Sequence, residues 1–460
     1  MKPAYEQIAD DIEREIREGR FRSGERLPSI REVCATYRVS KNTAVNAYDI
    51  LKSKHLVYSI PQSGCYILEQ RLKVERPSAT VIDFSRGNPL LGNVYTPDLK
   101  HCLDRAIDIC NTNSSDWHEL YGVPSLRKLL PKYLADFQVF TTPENIFVNL
   151  GVQQALNILH NMSFPNKKDV ILIEQPTYRY YSNYLKSNGA KILGIPREQA
   201  GIDINLLEDL FKKEKIKFFY TVPNSHNPLG TCYSKAQRKA IAQLAEKYDV
   251  YVVEDDYFGD VLFGDHGDPI YSYGDFKHHI YLKSFIKIIP WIRIGISVIP
   301  THLLPLFTEQ VRYSYYNSYF SPSLVSQSTL EIYIRSNLLH KHVVSLKKEL
   351  ALRIECLKTH FADAAKYGAA WVGGESGFYC YLMLPDYINE IQFVENLKRR
   401  GILVTPGAEC FFNEQYYKKG IRISVARTNV SEINRGILEI YKELSRHSSK
   451  NNHDIVSLTL

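Results

Sequence analysis

No apolar run in this chain approaches the roughly 20 residues that a bilayer-spanning helix needs, which argues against a membrane protein. The opening Met1-Lys-Pro-Ala-Tyr5 also lacks the charged-then-apolar order of a secretory leader, so a cytoplasmic location is expected. The 8 cysteines contain no Cys-x-x-Cys pair, and their scatter speaks for reduced, mostly buried thiols over a disulfide framework or a zinc site. Metal ligands are therefore not expected. There is no Gly-x-Gly-x-x-Gly and no Walker sequence, which removes the usual dinucleotide and nucleotide cradles. The net charge of +7 is mild; it permits contact with nucleic acid without requiring it. What the 460 residues do have, with 44% hydrophobic and 23% charged, is enough to build two or more domains.

Ile8, Ala9, Ile12 and Ile16 recur at helical spacing between Tyr5 and Arg17, and Gly19 and Gly24 follow as a loop. Ser29, with Glu32 three residues on, predicts a capped second helix reaching about Tyr37. Ser40 predicts the cap of a third, whose inner face is Ala44, Val45, Ala47, Tyr48 and Leu51. Two short capped helices across a tight turn suggest helix-turn-helix. The outward residues Lys41, Asn42, Thr43 and Asn46 are types that reach base edges and phosphates, which favours DNA over a plain helical bundle. Leu56–Ile60 and Cys65–Leu68 alternate like strands around Pro61-Gln-Ser-Gly64, as a hairpin wing would. Such a domain can also serve protein contacts alone. The residues Tyr5-Glu-Gln-Ile, Gly24-Glu-Arg-Leu-Pro-Ser-Ile-Arg31-Glu, Val39-Ser-Lys-Asn-Thr43 and Gly64 resemble the GntR-type winged helix. The resemblance implies a double-stranded DNA operator as partner. Its candidate DNA-facing residues are Ser29, Arg31, Ser40, Lys41, Asn42, Thr43, Asn46 and Gly64. Lys41 stands where that family commonly has Arg, which keeps the charge and loses the bidentate fork.

Residues 1–69 thus read as a winged helix-turn-helix, and the polar stretch 70–80, with Pro77, as a linker. Residues 81–446 read as one α/β domain, and 447–460 as a polar tail. In the long domain, apolar runs at Val170–Ile173, Lys191–Ile195, Phe218–Val222, Val250–Val253 and Ile280–Leu282 predict strands. Helical segments at Leu206–Lys213 and Lys235–Tyr248 fall between them, so a mostly parallel sheet covered on both faces is expected.

The chemistry is expected at Tyr281-Leu-Lys-Ser-Phe-Ile-Lys287, followed by Arg293 and Gly295. A lysine amine between a hydroxyl and a guanidinium suits a ring that carries both an aldehyde and a phosphate, as pyridoxal 5'-phosphate does. Phe285, Ile286, Ile288 and Ile289 would desolvate the amine and favour its neutral, nucleophilic form. Alone, the stretch reads more readily as a buried strand with a lysine at its end. Other residues after strands complete a site. Asp255 could protonate a ring nitrogen, Tyr257 and Asn227 could donate to a ring oxygen, and Tyr178 could stack. The turn Gly151-Val152-Gln153 could offer N–H groups to phosphate. Each also has a plain reading as a cap or turn.

Taken in order, Gly151, Pro176-Thr-Tyr178, Asn227-Pro-x-Gly230, Asp255-Asp-Tyr257, Ser284-x-x-Lys287, Arg293-x-Gly295 and Ile421-Arg422-Ile-Ser424 resemble the fold type I aminotransferases. Joined to a GntR-type winged helix, the chain resembles the MocR-type regulators. The resemblance implies an N-terminal winged helix-turn-helix plus a fold type I PLP-dependent aminotransferase-like domain with a smaller C-terminal subdomain. It implies pyridoxal 5'-phosphate as an aldimine at Lys287, with Asp255 on the ring nitrogen, Tyr257 and Asn227 on the ring oxygen and Tyr178 stacked. It further implies phosphate held by Ser284, Arg293 and the Gly151–Gln153 turn, an amino-compound effector with its carboxylate on Arg422, and a homodimer. Arg422 also reads as a surface ion pair. Three departures bear on this pattern: Val152 replaces a hydroxyl residue, Trp117 replaces a tyrosine, and the Lys287-to-Arg293 spacing is one residue short. Each lost charge-assisted phosphate contact is worth about 1.5–3 kcal/mol. A transcription regulator sensing PLP or an amino compound is the leading expectation. The alternatives are an active aminotransferase with a fused DNA-binding domain and a cofactor-free regulator that senses a small acid.

Overall fold

The computed structural model describes residues 2–22, 24–68, 81–89, 96–112, 120–264, 267–318 and 321–457; the linker 70–80 and Trp117 lie outside them. The chain divides into two compact units, Met1–Thr80 and Val81–Leu460.

In the first unit α1 (Ala4–Arg17) buries Ile8, Ala9, Ile12 and Ile16, the stripe that its sequence spacing predicts. In α2 (Ile30–Tyr37) the Ser29 side chain accepts from Glu32 N, and the Glu32 carboxylate accepts from Ser29 N at 2.6 Å, a reciprocal cap. Arg38 turns the chain in the left-handed region at φ 53°. Ser40 Oγ then accepts from Thr43 N at 3.2 Å and starts α3 (Lys41–Ser53). The hairpin of β1 (Val57–Ile60) and β2 (Gly64–Ile67) closes the core with Val57 opposite Ile67. Ala44, Ala47, Tyr48 and Leu51 are buried as expected. Val45, expected beside them, is only half-buried, because it falls at the edge of the stripe. The unit is a winged helix-turn-helix.

The second unit opens with β3 (Ile82–Asp83) and is built on an eight-stranded sheet. Its strands are β4 (Ile146–Asn149), β5 (Val170–Gln175), β6 (Lys191–Glu198), β7 (Gly201–Ile202), β8 (Ile216–Thr221), β9 (Tyr251–Asp256), β10 (His279–Ser284) and β11 (Gly295–Val298). They lie in the order β4-β11-β10-β9-β8-β5-β6-β7. The five from β10 to β6 are parallel. β11 runs antiparallel between β10 and β4, so β4 points the same way as the five. Alternate residues of the parallel strands enter different cores. Leu172, Phe219 and Val252 meet the helices Ile204–Lys213 and Lys235–Tyr248, while Ile171, Phe218 and Val253 meet Val152–Asn161 and Arg179–Ser187. Burial on both faces is why these strands read as continuous apolar runs.

The sequence ends the strand at Val253 and puts Glu254, Asp255 and Asp256 in a following loop. The structure corrects this: β9 continues to Asp256. The carboxylates tolerate the interior because they are bonded there. Glu254 accepts from the backbone N–H of Ile270 (3.0 Å) and Tyr271 (2.9 Å), and Asp256 accepts from Asn224 Nδ2 (2.9 Å) and the Tyr281 hydroxyl (2.6 Å).

A second, antiparallel sheet holds β12 (Ala370–Gly373), β13 (Tyr379–Met383), β15 (Thr405–Pro406) and β16 (Gly420–Ser424) in the order β12-β13-β16-β15, and β14 (Ile402–Leu403) pairs with β3. The last helix, Val430–Ser457, runs through residues where the sequence suggests a tail. Glu443 pairs there with Arg446 at 3.2 Å and His447 at 3.3 Å, one turn on. Among the described residues no helix is long and apolar enough to cross a membrane.

Candidate functional site

Because β4, β5, β8, β9 and β10 point the same way, their carboxyl ends open on one side of the sheet, where a ligand site forms in such folds. A cavity of about 750 Å³ lies there. Gly151, Val152, Gln153, Tyr178, Asn227, Asp255, Tyr257, Ser284, Lys287, Arg293 and Arg422 all line it, so every candidate residue proposed for this unit is brought together.

Lys287 follows β10 and is 9% exposed. Its Nζ donates to the Gly87 carbonyl (2.6 Å) and Asn88 Oδ1 (2.9 Å). Burial pushes the amine below the usual lysine range; Tyr379 opposes the shift and Arg422 adds to it. Lys283, on the strand itself, differs: its Nζ is 2.8 Å from the Asp260 carboxylate. Of the two, Lys287 is the one without an ion-pair partner among the described residues and the one that faces the cavity.

Asp255 is buried, with Oδ2 accepting from the Tyr220 hydroxyl at 2.8 Å and Oδ1 lacking any partner. Burial, its largest influence, pushes the carboxyl up to about 7. The Tyr178 hydroxyl accepts from Gln153 Nε2 at 2.7 Å, and burial pushes its pKa up to about 12. Tyr257 donates to the Ser225 carbonyl at 2.6 Å. Asn227 Oδ1 accepts from Arg422 Nη1 at 3.0 Å, which leaves its amide NH2 as the donor end. Arg422, on β16, also donates to the Ser85 carbonyl and to Thr405 Oγ1 (3.0 Å), and lies 4.8 Å from the Tyr379 ring centroid. Among the described residues it has no carboxylate partner.

Sheet register builds the anion-accepting corner. Ser284 pairs with Gly295, and Gly295 pairs with Asn149, two residues before Gly151. Gly151, at φ 72°, is the N-cap of the helix Val152–Asn161, whose first N–H groups are free of intrahelical partners. A Cβ on Gly295 would stand 2.7 Å from Gly151 C and 2.8 Å from Val152 N, so glycine is what lets β11 approach this turn. Arg293, exposed, flanks it at φ 49°.

Ser85–Asn88, Tyr220, Tyr379 and Arg427 also line the cavity and escape the sequence reading. Ser85–Asn88 has no periodicity, and Tyr220 reads as one more apolar residue of its strand.

In the first unit Arg31, Lys41, Asn42 and Asn46 are exposed and Thr43 half-exposed, along α2 and the start of α3. Ser29 and Ser40 use their hydroxyl oxygens as helix caps. Gly64, at φ 121°, lies under Arg26, whose Nε would be 2.9 Å from a Cβ. Its conformation and this packing explain glycine there independently of DNA.

A winged helix-turn-helix and a fold type I aminotransferase-like unit on one chain define a class, and comparison with known proteins agrees. Residues 79–440 match the family of class I and II aminotransferases, and residues 4–67 match the gntR family of bacterial regulatory proteins. The HTH-type transcriptional regulator YcxD of Bacillus subtilis is 35% identical over 438 residues, 94% of this chain and 98% of that one. NorG of Staphylococcus aureus, also an HTH-type transcriptional regulator, is 23% identical over 90% of this chain and 98% of its own. Among solved structures, an archaeal alanine:glyoxylate aminotransferase superposes with a TM-score of 0.73 at 23% identity, covering 81% of this chain and 92% of its own. LysN, the α-aminoadipate aminotransferase of Thermus thermophilus, gives 0.72 at 18% identity, covering 81% and 94%. The chain belongs to the MocR-type regulators, in which a GntR-type DNA-binding domain is fused to a class I and II aminotransferase domain.

Proposed function

We propose that the chain is a transcription regulator whose second unit binds pyridoxal 5'-phosphate at Lys287 and, through it, senses an amino compound. The observation that carries this reading is the pairing of a buried lysine without an ion-pair partner among the described residues, its pKa lowered by burial, with a buried carboxylate whose Oδ1 has no partner, in one cavity. When bound, the cofactor would supply an aldehyde for amine capture and a pyridine ring that withdraws electrons. Asp255 Oδ1 is the acceptor available to a ring N–H. Ser284, Arg293 and the N–H groups of the Gly151–Gln153 turn are the donors available to phosphate, and the helix start behind them favours an anion. Val152 contributes backbone only. Tyr178 offers a ring face, Asn227 offers an amide donor near a ring oxygen, Tyr257 would add a second by turning its hydroxyl from the Ser225 carbonyl, and Arg422 offers a guanidinium for the effector carboxylate.

A route to regulation follows from Ser85–Asn88, whose four successive carbonyls each accept a side-chain donor. Arg422 donates to Ser85, Ser424 Oγ to Arg86 (2.8 Å), Lys287 to Gly87 (2.6 Å) and Arg427 Nε to Asn88 (2.8 Å). Cofactor at Lys287 and carboxylate at Arg422 would compete for two of these four donors. The segment follows the linker in sequence, so ligands would act on the part of the unit next to the connection with the DNA-binding domain. Such differential contacts are what an allosteric coupling requires. On DNA, Lys41, Asn42, Thr43 and Asn46 would meet the major groove, with Ser29, Arg31 and Ser40 against the backbone and Gly64 at the wing.

The test uses the full chain and a duplex that it selects from a random pool, at fixed salt. DNA affinity is expected to change several-fold when pyridoxal phosphate and an amino compound are added, and to stay constant in Lys287→Ala. Equal affinity of the wild type under all conditions would refute the sensing role. Asp255 and Lys287 also equip an active aminotransferase, so sustained conversion of an amino acid in large excess over the protein would favour that reading instead.

A further inference from the structure

Five arginines line the cavity, and four have a partner or an assigned anion. Arg86 Nε is 3.4 Å from Asp83 Oδ2. Arg179 is ion-paired with Glu409 and lies 4.7 Å from the Tyr180 ring centroid. In the reading above, Arg293 faces phosphate and Arg422 a carboxylate. Arg427 is left over. Among the described residues no carboxylate lies within ion-pair distance of it, and its one hydrogen bond there is the 2.8 Å contact from Nε to the Asn88 carbonyl. Its two terminal nitrogens, the pair that grips a carboxylate side-on, have no partner among the described residues. Burial and neighbouring Arg86 hold its guanidinium below the usual arginine range, with Asp83 opposing.

The position matters as much as the charge. Arg427 bonds the main chain of Asn88, and Lys287 Nζ bonds the side chain of the same residue at 2.9 Å. The two basic side chains therefore converge on one residue, and Arg422 approaches from three residues earlier in the segment, at Ser85. An amine at Lys287 would share its cavity with both guanidinium groups.

Resting on the cofactor reading, we infer that the effector is an amino dicarboxylic acid, one carboxylate on Arg422 and a second acidic group on Arg427. Asp83 and Glu409 face Arg86 and Arg179, the phosphate would face Arg293 and one carboxylate Arg422, and a second acid on the effector would give Arg427 a bidentate partner of its own. A half-buried guanidinium left without an anion is unfavourable, which is the physical drive for this selectivity.

The experiment titrates the full chain, loaded with pyridoxal phosphate, with aspartate and glutamate against asparagine, glutamine and alanine, and follows the visible absorbance. The acids are expected to bind at least about tenfold tighter than the matching amides, the discrimination of one charge-assisted bidentate contact. In Arg427→Gln the gap between acids and amides closes to within about twofold, even where loss of the Asn88 contact weakens all five ligands together, and Arg427→Lys keeps part of the gap. A purely structural role, holding the Asn88 carbonyl, would instead weaken all five ligands alike and leave the gap. Amides binding as tightly as acids in the wild type, or a gap that survives in Arg427→Gln, would overturn the inference while leaving the cofactor reading intact. No band with pyridoxal phosphate, or a band unmoved by any amino acid, would remove the reading on which it rests and the inference with it.

Discussion

Asp255 shows how one residue trades stability for a ligand. Its carboxyl is pushed up to about 7 because burial penalises the charge, neighbouring Asp256 adds to the shift, and the Tyr220 hydroxyl offsets only part of it. Between about pH 4 and pH 7 the folded protein therefore binds a proton that the unfolded chain has lost, and stability falls as pH rises through that window. Asp255→Asn removes the titration. In cofactor-free protein the variant's stability relative to wild type is expected to grow from pH 4 to pH 7 and level off above, by an amount on the order of a few kcal/mol. The same variant is expected to lose affinity for pyridoxal phosphate. Urea unfolding across this pH range checks it, and a pH-independent difference would contradict it. Asp255 and Lys287 were legible in the sequence because each has local cues: a strand that ends in acids, and a serine three residues before a lysine in apolar company. Gly87, Tyr379 and Arg427 were not legible. Lys287 and Gly87 stand 200 positions apart, and nothing local to either announces their contact.

Among the elements, those with local instructions were read best. Serine caps at 29 and 40 and a hairpin around Gly64 place the first unit's helices and wing within a residue or two. The inner parallel strands were visible because both faces are apolar. The short strands β4, β7, β11, β12 and β13 were missed, since five residues or fewer carry too little pattern without the turn residues that mark the β1–β2 hairpin, and β9 was cut short because buried acids look like a loop. β11 nonetheless shapes the site, through the approach of Gly295 to the Gly151 turn. In Gly295→Ala the new methyl would meet backbone atoms at 2.7 and 2.8 Å, which cannot rotate away. The turn must shift, and affinity for pyridoxal phosphate and for inorganic phosphate should fall together, about tenfold or more. Equilibrium titration of both ligands tests this; an unchanged phosphate affinity would show that the turn holds no anion.

Across the whole molecule, the cavity gathers residues from Ser85 to Arg427, so the site exists only in the folded second unit. The first unit has its own core. A pair of winged helices reading paired half-sites requires two chains. Sedimentation of the full chain should give twice 53.0 kDa, and DNA protection should cover two half-sites separated by a whole number of helical turns. A monomer protecting one half-site would contradict the regulatory arrangement. The central claim, that this aminotransferase-like unit is a receptor built on Lys287, is tested most directly by the visible absorbance of the purified full chain with pyridoxal phosphate, measured beside Lys287→Ala. A yellow band in the wild type that is absent in the variant is the predicted result. No band at any cofactor concentration, or the same band in both proteins, would contradict it.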